Sequence, residues 1–179
     1  MTAKIAIRRV EDRDMAAIQA VYAHHVLHGT GSFETEPPDV GEVARRCQGV
    51  LALGLPYLVA ERDGRLVGYA YAGLYRPRAA YRFTCEDSVY VAAEMTGQGI
   101  GLPLLMAVIE AAGLAGMRQM VAVIGDRQQR PSIRLHEKAG FQPVGTLRNI
   151  GWKFGRWLDS VLMQRALGAA AETPAPPGR

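Results

Sequence analysis

Val89-Tyr90-Val91-Ala92-Ala93-Glu94-Met95-Thr96-Gly97-Gln98-Gly99-Ile100-Gly101-Leu102-Pro103-Leu104-Leu105 decides how the rest of the chain is read. A strand-like stretch passes through three alternate glycines into an apolar segment with helical spacing. Glycines let backbone N–H groups come close to an anion, and the helix start behind them adds roughly half a positive charge. The segment therefore predicts a pyrophosphate cradle. Its spacing is not GxGxxG, and no Lys-Ser/Thr pair closes the loop, so neither a dinucleotide fingerprint nor a P-loop is present.

Working outward, the helix is predicted to run to about Ala115 and to be closed by Gly116, and residues 120–125 form an almost wholly apolar strand. Upstream, residues 57–62 and 65–75 are strand-like and joined by Asp63-Gly64, a strong hairpin signal, and 84–92 is a further strand. Residues 4–10 read as a first strand. Asp12 or Asp14 is the expected N-cap of a helix carrying Met15, Ile18, Val21, Tyr22 and Val26, and Asp39 with Glu42 resembles a capping box for a second. Pro131 suits the first turn of a last helix that Gly140 ends, before strands at 141–147 and 157–164. This is one α/β domain, residues 1–168, with a tail from Ala169 expected to be disordered.

The 179 residues, 49% of them apolar, suffice for one core. With no membrane-length apolar run and no secretory h-region, a soluble cytoplasmic protein is expected. Cys47 and Cys85 lie in unrelated segments, so neither a disulfide framework nor a zinc knuckle is predicted. The net charge of +4 is spread along the chain, which argues against nucleic acid and suits a polyanionic small molecule. His24 and His28 stand at i and i+4, but His25 occupies the place of the glutamate of HExxH, and no metal site is expected.

The glycine segment resembles motif A of the GNAT superfamily of N-acetyltransferases, with Gly99 and Gly101 matching and Thr96 standing where the pattern has Arg or Gln. Pro131-Ser132-Ile133-Arg134-Leu135-His136-Glu137-Lys138-Ala139-Gly140-Phe141 is similar to the superfamily's S-x-x-L-Y-E-K-x-G-F helix, with His136 in place of tyrosine. Over residues 4–168 the chain resembles the phosphinothricin and methionine sulfoximine N-acetyltransferase branch. Four stretches carry that match: Phe33-Glu34-Thr35-Glu36-Pro37, Tyr71-Ala72-Gly73, Glu86-Asp87-Ser88-Val89-Tyr90-Val91 and Gly151-Trp152-Lys153-Phe154-Gly155-Arg156-Trp157-Leu158-Asp159.

The resemblance implies a GNAT fold with a mixed central sheet flanked by helices, acetyl-CoA as co-substrate, and a homodimer. It places acetyl-CoA against Val89, Tyr90 and Val91, the loop Gly97, Gln98, Gly99, Ile100, Gly101 and Leu102, and Gln129 and Lys138. It gives Glu86 the role of general base and His136 that of the acid reprotonating the coenzyme A thiolate. A base is needed because an amino acid's amine is mostly ammonium at pH 7, and for Glu86 to serve requires partial burial or a water relay. Alternation places Glu86 with Ser88 and Tyr90, and Asp87 on the other face. Arg76, Arg78 and Tyr81 are expected to hold a substrate carboxylate, with Phe33 and Glu34 in the pocket wall. The rival readings are a protein N-terminal or polyamine acetyltransferase and a non-catalytic acyl-CoA sensor.

Overall fold

The computed structural model describes residues 5–174. Strands β1 (Ala6–Arg9), β2 (Tyr57–Arg62), β3 (Arg65–Leu74), β4 (Thr84–Val91), β5 (Gln119–Gly125), β6 (Gln142–Lys153) and β7 (Arg156–Ala166) form one sheet in the order β1-β2-β3-β4-β5-β7-β6. Only β4 and β5 run parallel. A parallel neighbour requires a crossover, and helix α3 (Gly101–Leu114) provides it. Helices α1 (Met15–His28) and α2 (Val40–Ala52) lie on one face; α3 and α4 (Arg130–Lys138) lie on the other.

Residue size along β3 sets the two layers. Tyr69 and Tyr71 face α1 and α2, while Ala70 and Ala72 face α3, whose Leu104, Leu105 and Val108 are wholly buried. Small side chains there let α3 approach the sheet closely. The β2–β3 turn at Asp63-Gly64 has positive φ at both residues, 52° and 75°, as a two-residue hairpin requires.

Three local expectations need correction. Asp14 occupies the N-cap position of α1 but makes no side-chain cap: its carboxylate accepts two bonds from Arg8, at 2.7 and 2.8 Å, and one from the Glu11 N–H, tying β1 to the helix start. Asp39 does cap α2 by accepting from Glu42 N–H, but the Glu42 carboxylate is drawn off to Arg45 and Arg46 and completes no box. The last two strands are longer than predicted and meet at Phe154-Gly155, a turn with φ of 52° and 70°. A bulge between Leu147 and Gly151, with Asn149 at φ 52° and its N–H on Asp159, breaks the alternation that a strand reading depends on. Within the predicted tail, Arg118 donates to the Ala170 carbonyl and the Thr173 hydroxyl; residues 175–179 lie outside the described residues.

Gly140, at φ 84°, turns the chain out of α4 so that Phe141 enters the core and meets the His136 ring edge to face at 5.1 Å. Phe141→Ala is expected to destabilise the protein by about 3–5 kcal/mol in urea unfolding, the usual cost of emptying a buried phenyl site.

Candidate active site

β4 and β5 are paired at only three positions, Thr84 with Gln119, Cys85 with Met120 and Glu86 with Val121. Beyond these the strands part, and a cavity of about 550 Å³ opens between residues 86–90 of β4 and 122–125 of β5. Residues 31–34 close one wall, and His136 of α4 another. Because the gap lies in the sheet itself, side chains from both faces of β4 border it. Glu86 lies on the α1 and α2 face with Tyr90; Asp87 lies on the opposite face with Cys85 and Val89. The expectation that the two acids point apart is met, yet both reach the same cavity.

Glu86 is partly buried. Burial, and next the charge of Asp87, raise its carboxyl above the usual range, and Arg76 opposes the shift. His136 is only 3% exposed. Its Nδ1 donates to the Ser132 carbonyl at 2.7 Å, and Nε2 donates to Asp87 Oδ2 at 3.0 Å. With an acceptor facing each nitrogen, the surroundings favour the doubly protonated ring. Burial opposes that charge, but the bond to Asp87, the charge of Asp87 and the Ser132 carbonyl together outweigh it, and the His136 pKa is raised. Among the described residues Asp87 Oδ1 is buried without a partner. Cys85 is buried, its thiol donates to the Gln119 carbonyl, and burial pushes its pKa up to about 12, which leaves no thiolate for a covalent route.

The glycine loop lies where β4 leads into α3. Gly97 and Gly99 have φ of 79° and 78°, and a Cβ on either would meet nothing within 4 Å, so backbone conformation demands glycine and the loop's outer side is open. Gly101 has no positive φ; a Cβ there would sit 3.3 Å from the Leu135 side chain of α4, a tight contact. Ile100 is buried and Leu102 partly so, which leaves backbone amides at the helix start as their offering to an anion. Gln98 is committed to the loop, accepting from Arg62 at 2.7 Å and donating to the Glu94 carbonyl. At the end of β4 next to the loop, His25, whose pKa burial lowers, bonds the Val91 carbonyl at 2.8 Å. Free strand edge, open glycine loop and helix start form one track that fits a pantetheine arm ending in a pyrophosphate.

Of the remaining candidates, Phe33, Glu34 and Gln129 stand in the cavity walls, and Gln129 donates to the Thr30 hydroxyl at 2.9 Å. Lys138 is exposed at the end of α4, outside those walls. Arg76, Arg78 and Tyr81 are exposed on the β3–β4 connection and also lie outside them. Asp87 as the partner of His136 and Lys153 as a buried cation were missed. A readable sign existed for each: an acid between Cys85 and Val89 on an apolar face, and a lysine between Trp152 and Phe154, both need partners if buried.

A family model described as an acetyltransferase (GNAT) domain matches residues 7–162. The chain is 54% identical over 167 residues to phosphinothricin N-acetyltransferase of Alcaligenes faecalis, covering 93% of this chain and 85% of that one. It is 38% identical to the L-methionine sulfoximine/L-methionine sulfone acetyltransferase of Salmonella typhimurium, over 91% of this chain and 95% of the other. The crystal structure of a GNAT superfamily phosphinothricin acetyltransferase from Sinorhizobium meliloti with AcCoA superposes with a TM-score of 0.94 at 40% identity, covering 99% and 95% of the two chains. The chain belongs to the GNAT acetyltransferases. It is an enzyme of that family, and acetyl-CoA is its co-substrate.

A raised histidine pKa contributes stability that is complete below the unfolded value of about 6.5 and is lost as pH rises through the folded one. NMR titration is expected to place the His136 midpoint above 6.5. In Asp87→Asn the carboxylate is gone while burial remains, so the midpoint should fall, and the stability gap between the two proteins should narrow as pH rises above 6.5.

Proposed function

We propose that this chain acetylates the amino group of a small amino acid of the phosphinothricin, methionine sulfoximine or methionine sulfone type, by direct attack of the amine on acetyl-CoA. The observation that carries the reading is the placing of Glu86 and His136 on opposite sides of β4, bordering one cavity. Glu86, raised by burial, takes the proton from the ammonium. His136, whose pKa Asp87 raises, gives up the Nε2 proton it shares with Asp87 to the departing thiolate and is left as the neutral ring, still bonded through Nδ1 to Ser132. The bound thioester supplies the acetyl group, held by the β4 edge of Val89 to Val91 and the amides of the Gly97–Leu102 loop.

In this reading the substrate carboxylate is bound by Arg76, Arg78 and Tyr81. Since that loop lies outside the cavity of its own chain, the reading draws on a homodimer. Supporting it, Trp152, Trp157, Phe154 and Ile150 cluster exposed on the β6–β7 hairpin, with both tryptophans 58% exposed. The functional unit is residues 1–168, working in the cytoplasm as a dimer without a nucleic acid or membrane partner.

Glu86→Gln keeps the side chain's shape and removes its basicity, so kcat/KM at pH 7 should fall about a hundredfold or more, with the deficit shrinking as pH rises and free amine increases. Near-wild-type activity at pH 7 would rule out the base. Arg78→Ala should raise KM for the amino acid about tenfold or more and leave KM for acetyl-CoA within twofold. Equal activity on an amino acid and its amide would count against carboxylate recognition.

A further inference from the structure

Lys153 has no part in the chemistry above, yet its burial is unusual for a lysine. It is 4% exposed at the end of β6, and its Nζ donates to two carbonyls of one loop, Gly29 at 2.9 Å and Ser32 at 2.8 Å. Burying an ammonium is costly unless its protons find acceptors. Here both acceptors belong to the segment that follows α1 and supplies residues 31–34 to the cavity wall. Two carbonyls three residues apart can converge on one ammonium only if the chain between them curls around it. The ammonium therefore fixes the loop's shape as well as its position.

Two glycines complete the seat. A Cβ on Gly125 of β5 would come within 2.8 Å of the Phe33 ring and would also strike the Thr30 carbonyl; one on Gly151 of β6 would come within 2.7 Å of the ring's Cδ2. Neither glycine has a positive φ, so their smallness serves the close approach of Phe33. From the other side, the Tyr22 hydroxyl bonds Ser32 Oγ at 2.8 Å and Glu34 at 2.9 Å.

We propose that Lys153 is a positioning residue for the amino-acid substrate: it latches residues 29–34 onto the sheet so that Phe33, seated on Gly125 and Gly151, forms a fixed wall of the substrate subsite. This rests on the proposed amino-acid acetyltransferase activity, and the test separates the two. Lys153→Met keeps the buried stem and deletes the ammonium. In the full-length protein, amide hydrogen exchange across residues 30–34 should accelerate at least about tenfold while β3 and β4 stay protected. KM for L-methionine sulfoximine should rise about tenfold, with KM for acetyl-CoA within twofold and kcat within threefold.

A purely structural lysine would lower stability without that split in KM. Unchanged loop exchange, or faster exchange with unchanged amino-acid KM, overturns the proposal. If Lys153→Met does not fold, Lys153→Gln, whose shorter neutral side chain cannot hold both carbonyls, takes its place in the same two measurements, and Gly151→Ala, which displaces Phe33 and leaves the ammonium in place, tests the seat separately. Its amino-acid KM should rise similarly, and adding it to Phe33→Ala should have no further effect, since both act through one ring. Additive effects overturn the seat. If wild-type protein acetylates none of these amino acids the functional reading fails, while hydrogen exchange still decides the latch.

Discussion

Three residue pairs join β4 to β5, and past Glu86 and Val121 the strands separate. Every feature of the site follows from that early end to pairing. The backbone of Asp87 to Val91 keeps its β3 partner on one side and loses a neighbour on the other, which frees a strand edge inside a folded domain. Free edges are normally a hazard for a sheet. Here the edge is recessed in a cavity that α4, residues 31–34 and the far end of β5 enclose. The parallel pairing of these two strands also dictates the α3 crossover, and so puts a helix start and its glycine loop at the end of the same edge.

In the proposed mechanism, opening a sheet between two strands also answers a problem of acid–base catalysis. A base and an acid placed side by side perturb each other, whereas residues on opposite faces of a strand are kept apart by backbone. Burial raises the Glu86 pKa on one face, and Asp87 raises that of His136 on the other. Asp87 influences both, because its charge helps raise Glu86 while its oxygen binds the imidazolium.

The element order, the hairpin at Asp63-Gly64 and the strand-loop-helix-strand unit were legible because hydrophobic period and glycine placement are local properties. Asp14 stands directly before α1 but makes no side-chain cap, because a carboxylate at a helix start caps it only if nothing stronger is near, and Arg8, on the preceding strand, takes it. The β6 bulge hid the strand between Leu147 and Lys153. The position of the glycine loop between β4 and α3, and of Glu86 on the face opposite Asp87, were readable from spacing and alternation. The Asp87–His136 bond joins residues 49 positions apart, and Lys153 reaches back 124 positions to Gly29, so neither contact has a local signature. What the sequence did offer was the anomaly itself, a charge on a strand face otherwise apolar.

The central claim is that chemistry takes place in the gap between β4 and β5 with Glu86 and His136 on either side. A crystal structure of Glu86→Gln with acetyl-CoA and an amino-acid substrate tests it most directly. The account predicts the pantetheine along Val89 to Val91, the pyrophosphate on the amides between Gly97 and Leu102, and the thioester between residue 86 and the His136 ring. A thioester bound outside the gap, or one that His136 cannot reach directly or through one water, would contradict it.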